Sequence, residues 1–283
     1  MSNLNVESGV GPVIGVFDSG FGGLTVLKAL LKRLPGARFV FLGDTARLPY
    51  GSKSQRTIAR YASESAQFLV HEQKAEYLVI ACNTASALAL DAIKGAVPVP
   101  VLGVIEPGAA AAARNSGSRD VMVIATEATV ASHAYAAACR SQGLRGVEKA
   151  CPLLVPLVEE GWVDSPVTAE VVRIYLDELL AEAWAAGQSP DTLVLGCTHY
   201  PLLRAVFEKT LPAGIRVVDS AEATADEASR QVAELRSTEQ SAKGREVQQI
   251  RCFATDSVEK FERLGSRFLG LPVGKVELVD LGG

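Results

Sequence analysis

Two stretches decide the architecture: EYLVIACNTA, residues 76–85, and DTLVLGCTHY, residues 191–200. Each is a short aliphatic run that ends in one cysteine and passes through a polar turn into a new helical segment. An unbroken apolar run of this length, bounded by turn residues, reads as a strand buried on both faces, the kind a parallel sheet requires. The motif occurs twice, so each half of the chain delivers one cysteine, Cys82 or Cys197, to the same topological position.

Upstream of the first motif, VIGVF (13–17), DSGFGG (18–23) and LTVLKALLKRL (24–34) form strand, turn and helix. A second strand, ARFVFLGD, ends at Asp44, followed by the loop 45–54 and a helix over about residues 55–73 with apolar residues at helical spacing. Alternation of this kind means a doubly wound parallel sheet. The segment 97–108, VPVPVLGVIEPG, carries prolines where a helix cannot continue, and it reads as a crossing between domains. From Asp120 the first unit restarts: strand VMVIAT, turn TEAT, helix 130–143. A further helix is capped by Ser165 with Pro166 at its first position, carries apolar residues at Val171, Ile174, Leu176 and Leu179, and stops at Gly187. After the second motif, GIRVVDS reads as a strand and 221–235 as an alanine-rich helix. A polar connector near Lys243, a strand over about 250–254, a helix over 256–270 and a last strand over 275–281 then return to complete the first sheet.

The expected fold is therefore α/β, with two similar doubly wound parallel-sheet lobes: residues 1–104 plus 219–283 carrying Cys82, and residues 105–218 carrying Cys197. Asp18 precedes Cys82 by 64 positions and Thr126 precedes Cys197 by 71, so the two halves match in spacing as well as in motif. Ligands of such sheets bind beyond the carboxyl ends of the strands. Two facing lobes place those ends around one cleft, with a cysteine on each wall.

Bulk properties narrow the partners. With 28 Lys and Arg against 32 Asp and Glu among 283 residues, nothing draws the chain to nucleic acid or to an anionic membrane, and a small-molecule substrate is expected. The start, MSNLNVESGVGP, has neither a basic nor an apolar run, so no signal peptide and a cytoplasmic location are expected. The most apolar stretch, 95–113, is broken by Pro98, Pro100, Glu106 and Pro107, and no transmembrane segment is read there. The five cysteines (Cys82, Cys139, Cys151, Cys197 and Cys252) are odd in number and never in a C-x-x-C pair, which argues against a disulfide framework and against a metal site. Cys139, Cys151 and Cys252 read as core residues.

Two thiols across a cleft suit inversion of an amino-acid α-carbon. One removes a proton from one face, the other supplies a proton to the opposite face, and no cofactor is needed. A cysteine at a helix N-terminus is the easier to ionise, and both cysteines sit at expected helix starts. Asp18 and His199 are the ionisable neighbours, and Ser19, Asn83, Thr84, Thr126, Thr129 and Thr198 offer neutral donors for carboxylates. Three rivals are weaker. A nucleotide-dependent dehydrogenase would use Gly20, Gly22 and Gly23, but the G-x-G-x-x-G pattern fails at Thr25. A cysteine-nucleophile hydrolase or acyltransferase with His199 as base leaves the second thiol unexplained. A two-lobed binding module explains neither thiol.

The segments VFDSGFGGLTVLKAL, GDTARLPYGSKS, ACNTASA, GVIEPG, ATEATVASHAY, PLVEEG, LGCTHYPLL and ATDSVEKF, in this order, resemble the glutamate racemase family of the aspartate/glutamate racemase superfamily. The resemblance implies that Cys82 and Cys197 are the paired acid/base thiols and that Glu159, beside Glu160, has a supporting role. It implies that Asp18, Ser19, Pro49, Tyr50, Gly51, Asn83, Thr84, Thr126, Thr129, Thr198 and His199 contact or support the substrate. It further implies glutamate as substrate, no cofactor, a homodimer, and supply of D-glutamate for peptidoglycan; aspartate racemase is the alternative within the same superfamily.

Overall fold

The computed structural model describes residues 11–236 and 250–282, and the connector near Lys243 lies outside them. Among the described residues, ten strands alternate with helices: β1 Val13–Asp18, β2 Arg38–Gly43, β3 Tyr77–Ile80, β4 Val101–Gly103, β5 Asp120–Ala125, β6 Arg145–Ala150, β7 Thr192–Gly196, β8 Arg216–Asp219, β9 Ile250–Ala254 and β10 Val276–Leu278. They form two sheets, ordered β10-β9-β2-β1-β3-β4 and β6-β5-β7-β8. Every pairing is parallel. Within each sheet the chain order reverses beside the first strand of that lobe, β1 or β5. The crevice at such a switch point is where an open parallel sheet binds its ligand. It falls between β1 and β3 in one lobe and between β5 and β7 in the other, at the two cysteine motifs.

The central strands are buried on both faces, as their composition requires. All six residues of β1, VIGVFD, are buried, and so are those of β5, DVMVIA. Each fully buried Val, Ile or Phe stabilises the fold by about 1.5–3 kcal/mol, so the two middle strands are the firmest supports available to the site. The C-terminal segment completes the first sheet, since β9 pairs with β2 and β10 pairs with β9. Helix Ser220–Arg236 follows β8 and lies between the lobes. It packs on helices Leu24–Arg33 and Ile105–Asn115, with Arg33 Nε 2.6 Å from Asp226 Oδ1 and the Tyr77 hydroxyl donating to Gln231 Oε1 at 2.7 Å.

Four details differ from the sequence reading, each for a local reason. Segment 97–108 contains β4, and its last four residues open helix Ile105–Asn115 instead of breaking one. Pro107 lies in the first turn, where its missing N–H has no intrahelical partner to lose. β6 was not expected at all. Its sequence, RGVEKA, is polar and no residue of it is fully buried, because it is the edge of its sheet. Helix Pro166–Ala185 is capped by the Ser165 hydroxyl, which accepts from Val167 N at 3.2 Å, but its buried stripe runs through Val172, Leu176, Leu179 and Ala183, leaving Ile174 43% exposed. Finally, no α-helix starts at Cys197. A 3-10 turn, Tyr200–Leu203, intervenes before helix Arg204–Thr210.

Candidate active site

A cavity of about 230 Å³ lies between the lobes at the two switch points. Cys82 and Cys197 both line it, one from each lobe, and both side chains are almost wholly buried. Of the other expected site residues, Ser19, Pro49, Tyr50, Gly51, Asn83, Thr84, Glu159, Thr126, Thr198 and His199 also line it, whereas Asp18 and Thr129 stand behind the wall. Gly20, Leu48, Ser52, Glu127, Pro152, Val155 and Pro156 complete the lining, and no Lys or Arg is among them. A dianionic ligand would therefore meet hydroxyls, an amide, backbone N–H groups and the His199 imidazole rather than a lysine or an arginine.

The two thiols have different surroundings. Cys82 caps helix Asn83–Leu88: its sulfur accepts from Ala85 N at 3.4 Å, and its thiol donates to Ser19 Oγ at 3.4 Å. Burial, followed by the nearby Asp18 carboxylate, pushes the Cys82 thiol up to about 12, against the pull of those bonds. Asp18 lies at the end of β1, 1% exposed, with Oδ1 accepting from Gly20 N at 2.9 Å and Oδ2 without a hydrogen-bond partner among the described residues. Burial raises its carboxyl, while the charge of His199 and bonds from Gly20, Gly23 and Thr198 work the other way. Both groups on this wall are thus shifted toward their protonated forms.

Cys197 faces a histidine instead. Its sulfur is 3.9 Å from His199 Nδ1, and His199 Nε2 is 3.3 Å from Glu159 Oε1. Burial opposes charging of the imidazole, yet the bonds to Cys197 and Glu159 outweigh it and raise His199 to about 10, which favours its protonated form. Burial likewise opposes ionisation of Glu159, but His199 and Lys260 hold its carboxyl below the usual range. The ring is wedged between Phe21 and Phe268, at centroid distances of 6.0 and 5.1 Å. Of the adjacent acids Glu159 and Glu160, it is Glu159, the last residue of helix Leu154–Glu159, that lines the cavity and meets His199.

Polar contacts join the lobes around the cavity. The hydroxyls of Thr84, Thr126 and Thr129 form a triangle with sides of 3.0, 3.2 and 2.9 Å. The Tyr135 hydroxyl donates to Asn83 Oδ1 at 2.7 Å, so the side-chain oxygen is occupied; Asn83 Nδ2 has no hydrogen-bond partner among the described residues. Asn83 is thereby turned with its amide hydrogens available as donors. Tyr135→Phe leaves Asn83 Oδ1 unsatisfied, so unfolding free energy should fall by about 1–3 kcal/mol in denaturant titration. A variant of unchanged stability would show that this bond does not hold the asparagine.

The wall formed by Pro49–Ser52 depends on Asp44, which is fully buried but does not line the cavity. The Tyr50 hydroxyl donates to Asp44 Oδ2 at 2.5 Å, Arg47 Nε lies 2.9 Å from both Asp44 oxygens, and Thr255 Oγ1 donates to Asp44 Oδ1 at 3.0 Å. The phenol of Tyr50 is thus committed to the loop and presents its ring, not its hydroxyl, as cavity wall. Lys260, Tyr135, Phe21 and Phe268 were missed by the sequence reading, and only ring spacing on helix Val258–Leu269 could have hinted at Phe268. Among the described residues, no cluster of His, Cys, Asp or Glu could hold a metal ion.

Two parallel-sheet lobes thus share one cavity, with a buried thiol on each wall. The Asp/Glu/hydantoin racemase family model matches residues 14–228, and the chain belongs to that family. Relatives include the glutamate racemase of Koribacter versatilis, 52% identical over 96% of this chain and 98% of its own, and that of Geobacter metallireducens, 49% identical over 95% and 96%. Among solved structures, glutamate racemase from Thermus thermophilus in complex with β-chloro-D-alanine has a TM-score of 0.81 at 43% identity, covering 96% of this chain and 98% of its own. Glutamate racemase from Francisella tularensis in complex with D-glutamate has a TM-score of 0.84 at 33% identity, with the same coverage. An aspartate racemase from Picrophilus torridus, at 21% identity and a TM-score of 0.55 over 79% of this chain, shares the fold. The protein is an enzyme, a racemase. Among the described residues, no helix is long and apolar enough to cross a membrane.

Proposed function

We propose that this racemase interconverts L- and D-glutamate without a cofactor, by proton transfer at Cα between Cys82 and Cys197. The observation that carries this reading is the placement of the two buried thiols at the carboxyl ends of equivalent strands, facing one cavity from opposite lobes. One thiolate takes the α-proton, leaving a carbanion, and the opposite thiol returns a proton to the other face, so that the pair exchanges protonation with each turnover. The His199 imidazolium supports negative charge on the Cys197 sulfur, and Glu159 supports His199. Asp18 is the matching proton-holding group behind Cys82. The substrate carboxylates are held by Ser19, Asn83, Thr84, Thr126 and Thr198, with Thr129 bracing the threonines and Pro49, Tyr50 and Gly51 closing the wall. By the family resemblance, Cys82 serves D-glutamate and Cys197 serves L-glutamate.

Glutamate is favoured over aspartate because the relatives that match nearly the full chain are glutamate racemases. The same reading takes residues 1–104 with 219–283 as one lobe and 105–218 as the other, in a cytoplasmic homodimer that supplies D-glutamate to peptidoglycan. Purified protein, free of pyridoxal phosphate and treated with a chelator, should bring either glutamate enantiomer to a racemic mixture, and should act on L-aspartate far more slowly. Loss of activity on chelation, dependence on pyridoxal phosphate, or faster turnover of aspartate would overturn it.

A further inference from the structure

The chain of contacts on the Cys197 side does not end at Glu159. The second carboxylate oxygen, Oε2, accepts from Lys260 Nζ at 3.0 Å. Lys260 belongs to helix Val258–Leu269, between β9 and β10 of the first sheet, whereas Cys197, His199 and Glu159 follow strands of the second. A chain of contacts therefore crosses the lobe boundary from the Cys197 sulfur through His199 and Glu159 to Lys260, and the Cys82 wall has no counterpart among the described residues. Lys260 is held in place by more than its charge: its ammonium lies 5.6 Å from the centroid of the Phe21 ring, and Phe21 also packs on His199. Both partners of the Glu159–Lys260 pair keep some solvent contact, at 18% and 42% side-chain exposure, so the pair acts chiefly as a geometric constraint.

We propose that Lys260 is a positioning residue for the Cys197 half-reaction alone: by tethering Glu159 from the opposite lobe, it keeps His199 set against the Cys197 sulfur. The proposal rests on the two-thiol reading. The titratable and charged groups around Glu159 are His199 and Lys260 on its two oxygens, Cys197 and Asp18 beyond the imidazole, Glu127 across the cavity, and Arg267, whose guanidinium abuts Gly161. Among the described residues, only Lys260 and His199 bond to the carboxylate. Losing the lysine removes one of the two groups that keep Glu159 ionised, so Glu159 takes up a proton at higher pH than before. A group whose pKa is depressed supports function above that pKa, and the support is lost as pH falls through it. The acid limb of the Cys197 half-reaction should thus move to higher pH.

The half-reactions can be read with the two enantiomers of β-chloroglutamate. The thiolate removes the α-proton, the electron pair forms the Cα–Cβ double bond, and chloride leaves; the enamine then tautomerises and is hydrolysed to a 2-oxo acid and ammonium. The enantiomer that the Cys82→Ala variant still eliminates identifies the Cys197 half-reaction. Lys260→Met should slow elimination from that enantiomer about tenfold, on the scale of one charge-assisted bond, and move the acid limb of its pH profile to higher pH. The other enantiomer should stay within about twofold, and Lys260→Arg should restore both rate and profile. Equal losses on both enantiomers, no loss on either, or an unmoved acid limb would overturn the role of Lys260. If instead the Cys82→Ala and Cys197→Ala variants eliminate from the same enantiomer, the two-thiol reading itself has failed.

Discussion

Cys82→Ala and Cys197→Ala should each abolish racemisation while leaving the fold intact. Both sulfurs line the cavity, and each is held by few partners, Ser19 Oγ and Ala85 N for Cys82 and His199 for Cys197, so truncation frees no large buried network. General acid–base groups contribute about 10²–10⁴-fold each, so either variant should fall by at least that factor in the rate of enantiomer interconversion. At equilibrium the ratio of enantiomers is one, and kcat/KM must be equal in the two directions whatever the residue changed. Asymmetry between the thiols therefore has to be sought in kcat and KM separately, or in elimination, which requires abstraction without return of a proton. The two variants should eliminate from opposite enantiomers. A folded single-thiol variant that racemises at the parental rate would exclude proton transfer between the pair.

Gly22→Ala should be nearly as damaging, although Gly22 takes no part in the chemistry. A β-carbon there would lie 2.4 Å from Thr198 Oγ1 and 2.7 Å from His199 Nδ1. These atoms belong to the opposite lobe, and the imidazole cannot withdraw, since Phe21 and Phe268 flank it and Glu159 binds its far side. The methyl group must instead push the lobes apart or turn His199 away from Cys197. Displacement of a catalytic group by about 1 Å costs roughly 10²-fold in rate, and overpacking costs about 1–3 kcal/mol of stability. Turnover and thermal unfolding measured on one preparation should show both losses. An active, stable variant would mean that the lobes do not approach as closely here as described.

The architecture was legible because its signals are carried by buried strands. EYLVIAC and DTLVLGC announce themselves through unbroken aliphatic runs, and their repetition locates two switch points and two thiols before any coordinates are known. Edge elements escape the same reading. RGVEKA in β6 has no buried face to impose a pattern, and Ile174 is apolar yet points to solvent. Partnerships between distant side chains leave no trace in a single sequence: nothing about Lys260 marks it as the partner of Glu159, 101 positions away, and nothing about Tyr135 marks it as the anchor of Asn83. Chemistry that resides in residue type and motif was visible, whereas chemistry that resides in contacts made by folding was not. Asp18 illustrates the boundary, being recognisable as an acid at a strand end but not as one set behind the wall, with one carboxylate oxygen left unpartnered.

The position of β9 and β10 has a consequence for how the molecule is made. The four strands of the second sheet are consecutive in the chain, so that sheet can assemble on the ribosome as soon as β8 has emerged. The first sheet cannot, because β2 remains an open edge until residues 250–254 have been synthesised. An unpaired buried-type strand such as RFVFLG is a template for pairing with other chains. Throughout that interval the second sheet is complete and the first is not, and Thr255 and Lys260, which secure the two walls of the cavity, arrive only after every strand of the second sheet. A chain that stalls before β9 therefore has both thiols but lacks the contacts that set the walls around them.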